Sequence, residues 1–108
     1  MTIKELQKEC FAQAVKSGWE DKKPPVPEMV ALICSEACEA LEEYRNSKPL
    51  MYQGEGGKKP EGLAAEFADI VIRVAHYAGS LGFDLESAIE VKMEYNRTRP
   101  YRHGGKKC

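Results

Sequence analysis

The stretch SEACEALEEY, residues 35–44, decides how the chain is read. At about 100° per residue its glutamates Glu39 and Glu43 fall within about 60° of Glu36. Met29, Ile33, Ala40 and Tyr44 share one side of Glu36 on the same helical wheel, and Leu32 lies on the other. The glutamates therefore line the edge of an apolar stripe. A helix that only packs on a core has no reason to carry carboxylates there.

Working outward, this helix runs from about Pro27 to Asn46, and Pro27 suits its first turn. The preceding GWEDKKPPVP is a loop, because its prolines lack donors and disfavour helix before them. Residues 2–17 carry Ile3, Leu6, Cys10, Phe11, Ala14 and Val15 at helical spacing, with Gly18 as a stop. Downstream, NSKPLMYQGEGGKKPEG reads as a Gly/Pro/Lys-rich connection. A third helix spans about Glu61 to Leu81. Asp84 is a good N-cap for a fourth helix that ends near Thr98, ahead of Pro100. No strand is expected. The expected fold is all-α, a four-helix bundle in a single domain over 1–108. Its tail, residues 99–108, is basic and expected to be mobile unless something docks it.

Composition narrows the function classes. The 108 residues include 16 Lys or Arg and 17 Asp or Glu, so the net charge of −1 argues against a nucleic-acid or membrane binder by bulk charge. No apolar run approaches a membrane span, and MTIKELQKEC lacks the apolar region of a signal peptide. The four cysteines, Cys10, Cys34, Cys38 and Cys108, form no CxxC and have no histidine partners. They are expected to be reduced thiols of a cytoplasmic protein; the alternative is a disulfide, or a metal reached by Cys34 and Cys38 at i and i+4.

The third helix repeats the device of the second. With Glu66 at zero on the wheel, Leu63, Phe67, Ile70, Val74, Tyr77 and Leu81 occupy one arc. Asp69 sits about 60° the other way, with Arg73 between the two carboxylates. An ExxE pair and an ExxD pair thus border two apolar faces. Antiparallel packing of the two helices would bring Glu36, Glu39, Glu66 and Asp69 together. Like charges at that range repel strongly, and a hard divalent cation relieves the repulsion. Mg²⁺ fits, since it takes a few carboxylates plus substrate phosphates. The alternative is solvated helix faces, with Arg45 and Arg73 as intrahelical partners.

The basic end offers a complement. Leu85, Ala88, Ile89, Lys92, Asn96 and Arg99 share a stripe that turns from apolar to cationic. A cation row beside an acidic metal site suits phosphate. The alternative is helix C-terminal cations favoured by the macrodipole.

SEACEALEE followed by EFADIVIRV resembles the ExxE…ExxD signature of the MazG-like nucleoside triphosphate pyrophosphohydrolases, an all-α superfamily. The ending KMEYNRTRPYRHGGKK is similar to the family's fourth helix and basic tail. The resemblance covers roughly residues 1–105. It implies Glu36, Glu39, Glu66 and Asp69 as catalytic Mg²⁺ ligands, with Mn²⁺ as a substitute ion. It also implies that Lys92, Asn96 and Arg99 face the phosphates. The implied reaction takes a (d)NTP to the monophosphate and pyrophosphate, as in nucleotide pool cleaning, in a homodimer or homotetramer. The family often begins its first motif with an additional glutamate; Ser35 stands at that position here.

Trp19, in the loop before the second helix, suits stacking of a nucleobase or, alternatively, a hydrophobic plug on the bundle end. Tyr77 is expected in the core. His76, near the acidic edge, is expected at the surface or behind the ligands. Two other functions stay open: a structural helical oligomer without catalysis, kept in play by Ser35, and a module binding nucleic acid through RTRPYRHGGKK.

Overall fold

The computed structural model describes all 108 residues and is mostly helical. Helix α1 spans Ile3–Lys16, α2 Val26–Arg45, α3 Leu63–Leu81 and α4 Leu85–Arg97. Each lies within two residues of its sequence-based bounds. The side chain of Thr2 caps α1 by accepting from the Glu5 N–H, and that of Asp84 caps α4 by accepting from the Ser87 N–H. Gly82, at φ 77°, closes α3 in the left-handed region that glycine enters without cost.

The connection read as irregular contains a small hairpin. Strand β1 (Tyr52–Gln53) pairs antiparallel with β2 (Pro60–Glu61), around a 3₁₀ turn over Glu55–Gly57. Its exit is tight. Gly62 sits at φ 110°, and a Cβ there would collide with the Leu50 carbonyl. The Ala64 N–H donates to that same carbonyl at 2.9 Å, so the hairpin is tied to the first turn of α3.

Helix α3 is the centre, packing on α1 through one face and on α2 through another. The core is small-residue rich: Ala14, Met29, Ala40, Ala65, Ala75, Tyr77 and Ala78 are its buried apolar members. The expected arc of α3 is thus only partly inward. Phe67 is 54% exposed and Leu81 42%, whereas Ala65 and Ala75 are buried instead. Close helix approach through alanines moves the buried stripe away from the bulkiest residues.

Helix α4 departs from the expected bundle. It packs chiefly on α1 and buries no residue. Gln7 of α1 holds the turn: its Nε2 donates to the Phe83 carbonyl at 2.7 Å, and its Oε1 accepts from the Leu85 N–H at 3.0 Å. The chain is therefore extended, 48 × 37 × 29 Å, with a radius of gyration of 16.4 Å. A compact chain of this length would have a radius of about 13 Å. The basic tail adds one turn, Arg102–Gly105, and residues 100–108 are all exposed. No helix is long and apolar enough to cross a membrane.

Candidate metal centre

The α2–α3 seam is antiparallel. Its cross-links run Glu36 to Arg73 and Glu39 to Glu66, falling along α3 as they rise along α2, and beyond them Glu43 meets Tyr52 of β1. Carboxylate oxygens of Glu36, Glu39 and Glu66 lie within 4.8 Å of one another. Glu36 is 7% exposed. Its Oε1 accepts from Arg73 Nε at 2.9 Å. Its Oε2 is buried without a partner, and so is Oε2 of Glu66. A buried oxygen without a donor is costly, so neither is a satisfied core group and either could accept a ligand.

The electrostatics divide one proton between the two helices. Burial pushes the Glu36 carboxyl up, but the Arg73 guanidinium bonded to it, with the adjoining Glu39 and Glu66 carboxyls, outweighs it and holds Glu36 below the usual range. Glu66 goes the other way. Burial, then the crowding and charge repulsion of the adjoining Glu36 and Glu39 carboxyls, raise it to about 7. Glu36 is thus ionised against Arg73 while Glu66 keeps a proton near neutrality. A divalent cation between them would replace that proton, so the donor set suits one.

Asp69, the fourth expected ligand, is exposed and lies outside the converging group. Burial of its carboxyl and the Glu36 charge still raise its pKa, against the pull of Arg73 and Lys59. Ser35 turns away: its hydroxyl donates to the Leu32 carbonyl one turn back, at 2.7 Å. Glu43 is an anchor instead, accepting the Tyr52 hydroxyl at 2.8 and 3.0 Å. That bond, with burial, drives the Tyr52 phenol up to about 12.

The expected phosphate row is elsewhere. Lys92 and Asn96 are exposed on α4, and Arg99 is half-buried. Lys92 and Arg99 both stack on Tyr95, at 5.3 and 5.8 Å from its ring centre. Nothing in the chain carries them to the α2–α3 seam. Trp19 is not a plug, since it is 70% exposed. Its loop is fastened to the far end of α3, where Glu20 accepts from Ser80 and pairs with His76 at 2.8 Å, and Lys23 donates to the Ser80 carbonyl. His76 lies ten residues beyond Glu66, about 15 Å along the helix. It is therefore a half-buried loop clamp, its ring against Phe11 and Tyr77, rather than part of the acidic edge. Tyr77 is core, as expected, and also accepts from Arg73 at 3.1 Å.

Sequence reasoning treated Arg73 as an intrahelical partner and missed that it braces Glu36 across the seam. It also missed the cations of the connection. An open cleft of about 280 Å³ beside the carboxylates is lined by Glu39 and Glu66 and, from the connection, by Lys48, Lys59 and Glu61. The lysine-rich composition of residues 46–62 was the available signal. The cysteines are all free, with Cys34 and Cys38 exposed and outside the acidic group.

Compared with protein-family models, with curated proteins and with solved structures, the chain matches none.

Proposed function

We propose that the chain is a Mg²⁺-dependent nucleoside triphosphate pyrophosphohydrolase that converts a (d)NTP to the monophosphate and pyrophosphate. One observation carries the reading: three carboxylates from two helices converge, and two of their buried oxygens have no partner. Glu36, Glu39 and Glu66 would hold the cation, with Asp69 one turn along α3 as a further or water-mediated ligand. A bound divalent cation supplies charge neutralisation for the triphosphate and a more acidic water. The chain's own residues do the rest. Arg73 fixes Glu36 so that its free oxygen is available to the group. A carboxylate of the group not fully used by the cation would take the proton of an attacking water.

The same reading includes a homodimer or homotetramer. Val30, Leu41, Phe67 and Val71 are each at least half exposed, on the two helices that form the seam. Contiguous apolar faces of this kind are covered by partners in stable proteins. A second copy is also the route by which Lys92, Asn96 and Arg99 would reach a bound triphosphate.

The test is hydrolysis of ordinary and modified (d)NTPs in ¹⁸O-water with Mg²⁺. Label in the nucleoside monophosphate, with pyrophosphate released, is the expected result. Label only in orthophosphate would mean attack at the γ-phosphorus and would sink the reading.

A further inference from the structure

The α2–α3 connection does more than join two helices. It brings Lys48 and Lys59 to the cleft that also holds Glu39 and Glu66. Neither lysine is consumed by the fold. Lys59 has Glu61 as its ion-pair partner at 3.8 Å, too long for a hydrogen bond, and its side chain is 68% exposed. Lys48 rests over the Tyr52 ring at 5.9 Å. The backbone beneath them is held firmly. Tyr52 is bonded to Glu43 of α2, Gly54 N–H donates to the Lys59 carbonyl at 2.7 Å, and Ala64 N–H donates to Leu50. A rigid frame that presents two exposed, loosely paired ammonium groups beside an acidic cluster offers a cation–anion pair of subsites.

We propose that this hairpin is the polyphosphate-binding element of the site, with Lys48 and Lys59 as its cations. The inference rests on the proposed function for the identity of the metal-bound partner. The cleft itself is lined by five acids, Glu39, Glu42, Glu43, Glu61 and Glu66, against the two lysines. A bare polyanion is repelled there. Its metal complex is not, because the cation answers the carboxylates while the lysines take the outer phosphate oxygens. The ligand class is therefore a metal-complexed polyphosphate chain, held by lysines of the same chain before any contact that α4 of a second copy would add.

The experiment uses inorganic tripolyphosphate titrated calorimetrically into the full chain with Mg²⁺ present, and Mg²⁺ titrated alone. Lys48→Gln and Lys59→Gln should each weaken tripolyphosphate about tenfold, and the double variant about a hundredfold, without lowering Mg²⁺ affinity. Lys58→Gln removes the same charge from the same hairpin but does not line the cleft, and it should bind within about twofold of wild type. A double variant that matches wild type, or a Lys58→Gln loss equal to that of Lys59→Gln, overturns the inference. So does a wild-type chain that binds no tripolyphosphate. A wild-type chain that takes up no Mg²⁺ sinks the proposed function instead. Loss of tripolyphosphate binding in the double variant would then sustain the lysine assignment, and indifference would overturn it.

Discussion

Along the α2–α3 seam, charged side chains are packed against one another, with Glu36 buried and Arg73 bonded to it across the helices. On α4 and just past its end, Lys92 and Arg99 lie over Tyr95, and neither is buried. Both regions show an amphipathic stripe with charge at a regular spacing. What separates them is the partner. The seam is closed by a hairpin anchored at both ends, through Tyr52 on α2 and Leu50 on α3. Helix α4 leaves a tight turn at Gly82 and is latched by Gln7 onto α1, on the other side of the molecule. A helical wheel shows which residues share a face; it does not say what the face meets.

The comparison breaks most sharply at the proposed metal ligands. Glu39→Ala should cut Mg²⁺-dependent turnover about a thousandfold, since a Lewis acid contributes several kcal/mol and each 1.36 kcal/mol is tenfold. Far-UV circular dichroism should be unchanged, because Glu39 is exposed and its removal relieves repulsion. Wild-type activity in that variant would mean the seam is only a packed surface.

Next comes the brace. Arg73→Ala leaves the buried Glu36 carboxylate without its counterion. The cost should be about 2 kcal/mol by urea titration, less than for a fully buried pair because solvent screens the partly exposed guanidinium. Saturating Mg²⁺ should restore part of it. Equal stability with and without Arg73 would place Glu36 outside any paired network.

The proton that divides the seam gives a pH signature. Glu66 holds its proton to about pH 7 in the fold but loses it near its ordinary value of 4.5 when unfolded. Its stabilising contribution is thus complete below about 4.5 and lost as pH rises through about 7. Asp69, also raised, has the same sign, and Glu36, lowered, works the other way only at more acidic pH. The urea midpoint of the metal-free protein should therefore fall from about pH 5 to about pH 7.5. Glu66→Gln should flatten that slope, and Mg²⁺ should reverse it. A flat profile in the wild type would show that the carboxylates do not interact.

The smallest effect belongs to α4. Lys92→Ala should cost about tenfold in kcat/KM in the assembled protein, the price of one charged contact. Phe67→Asp, on the exposed face of α3, should shift the chain to monomer by sedimentation. In that monomer Lys92→Ala should cost nothing more. Additive losses in the double variant would show that α4 does not act through a second copy.

The helices and the acidic edges were legible because both are local. Apolar spacing, the Asp84 cap and the Gly82 stop each depend on residues within a few positions. The placement of Asp69 was not legible, because a wheel treats positions at i and i+3 as equal neighbours, whereas only Glu66 of the pair meets Glu36 and Glu39 across the seam. Nor were the roles of His76 and Glu43, whose partners Glu20 and Tyr52 lie in loops with no periodic signal. The hairpin cations were read as composition alone.

The sequence by itself determined four helices, their ends, and the two carboxylate pairs beside apolar stripes, since backbone hydrogen bonding and side-chain period are set within a turn or two. Only the tertiary structure decided that three of the four carboxylates converge, that Arg73 crosses the seam, that the α2–α3 hairpin brings lysines to the cleft, and that α4 turns away. Those outcomes depend on which faces meet across dozens of residues. That choice is made by how closely alanine-lined helices approach and by a few loop anchors such as Gln7, Gly62 and Tyr52, not by any local pattern.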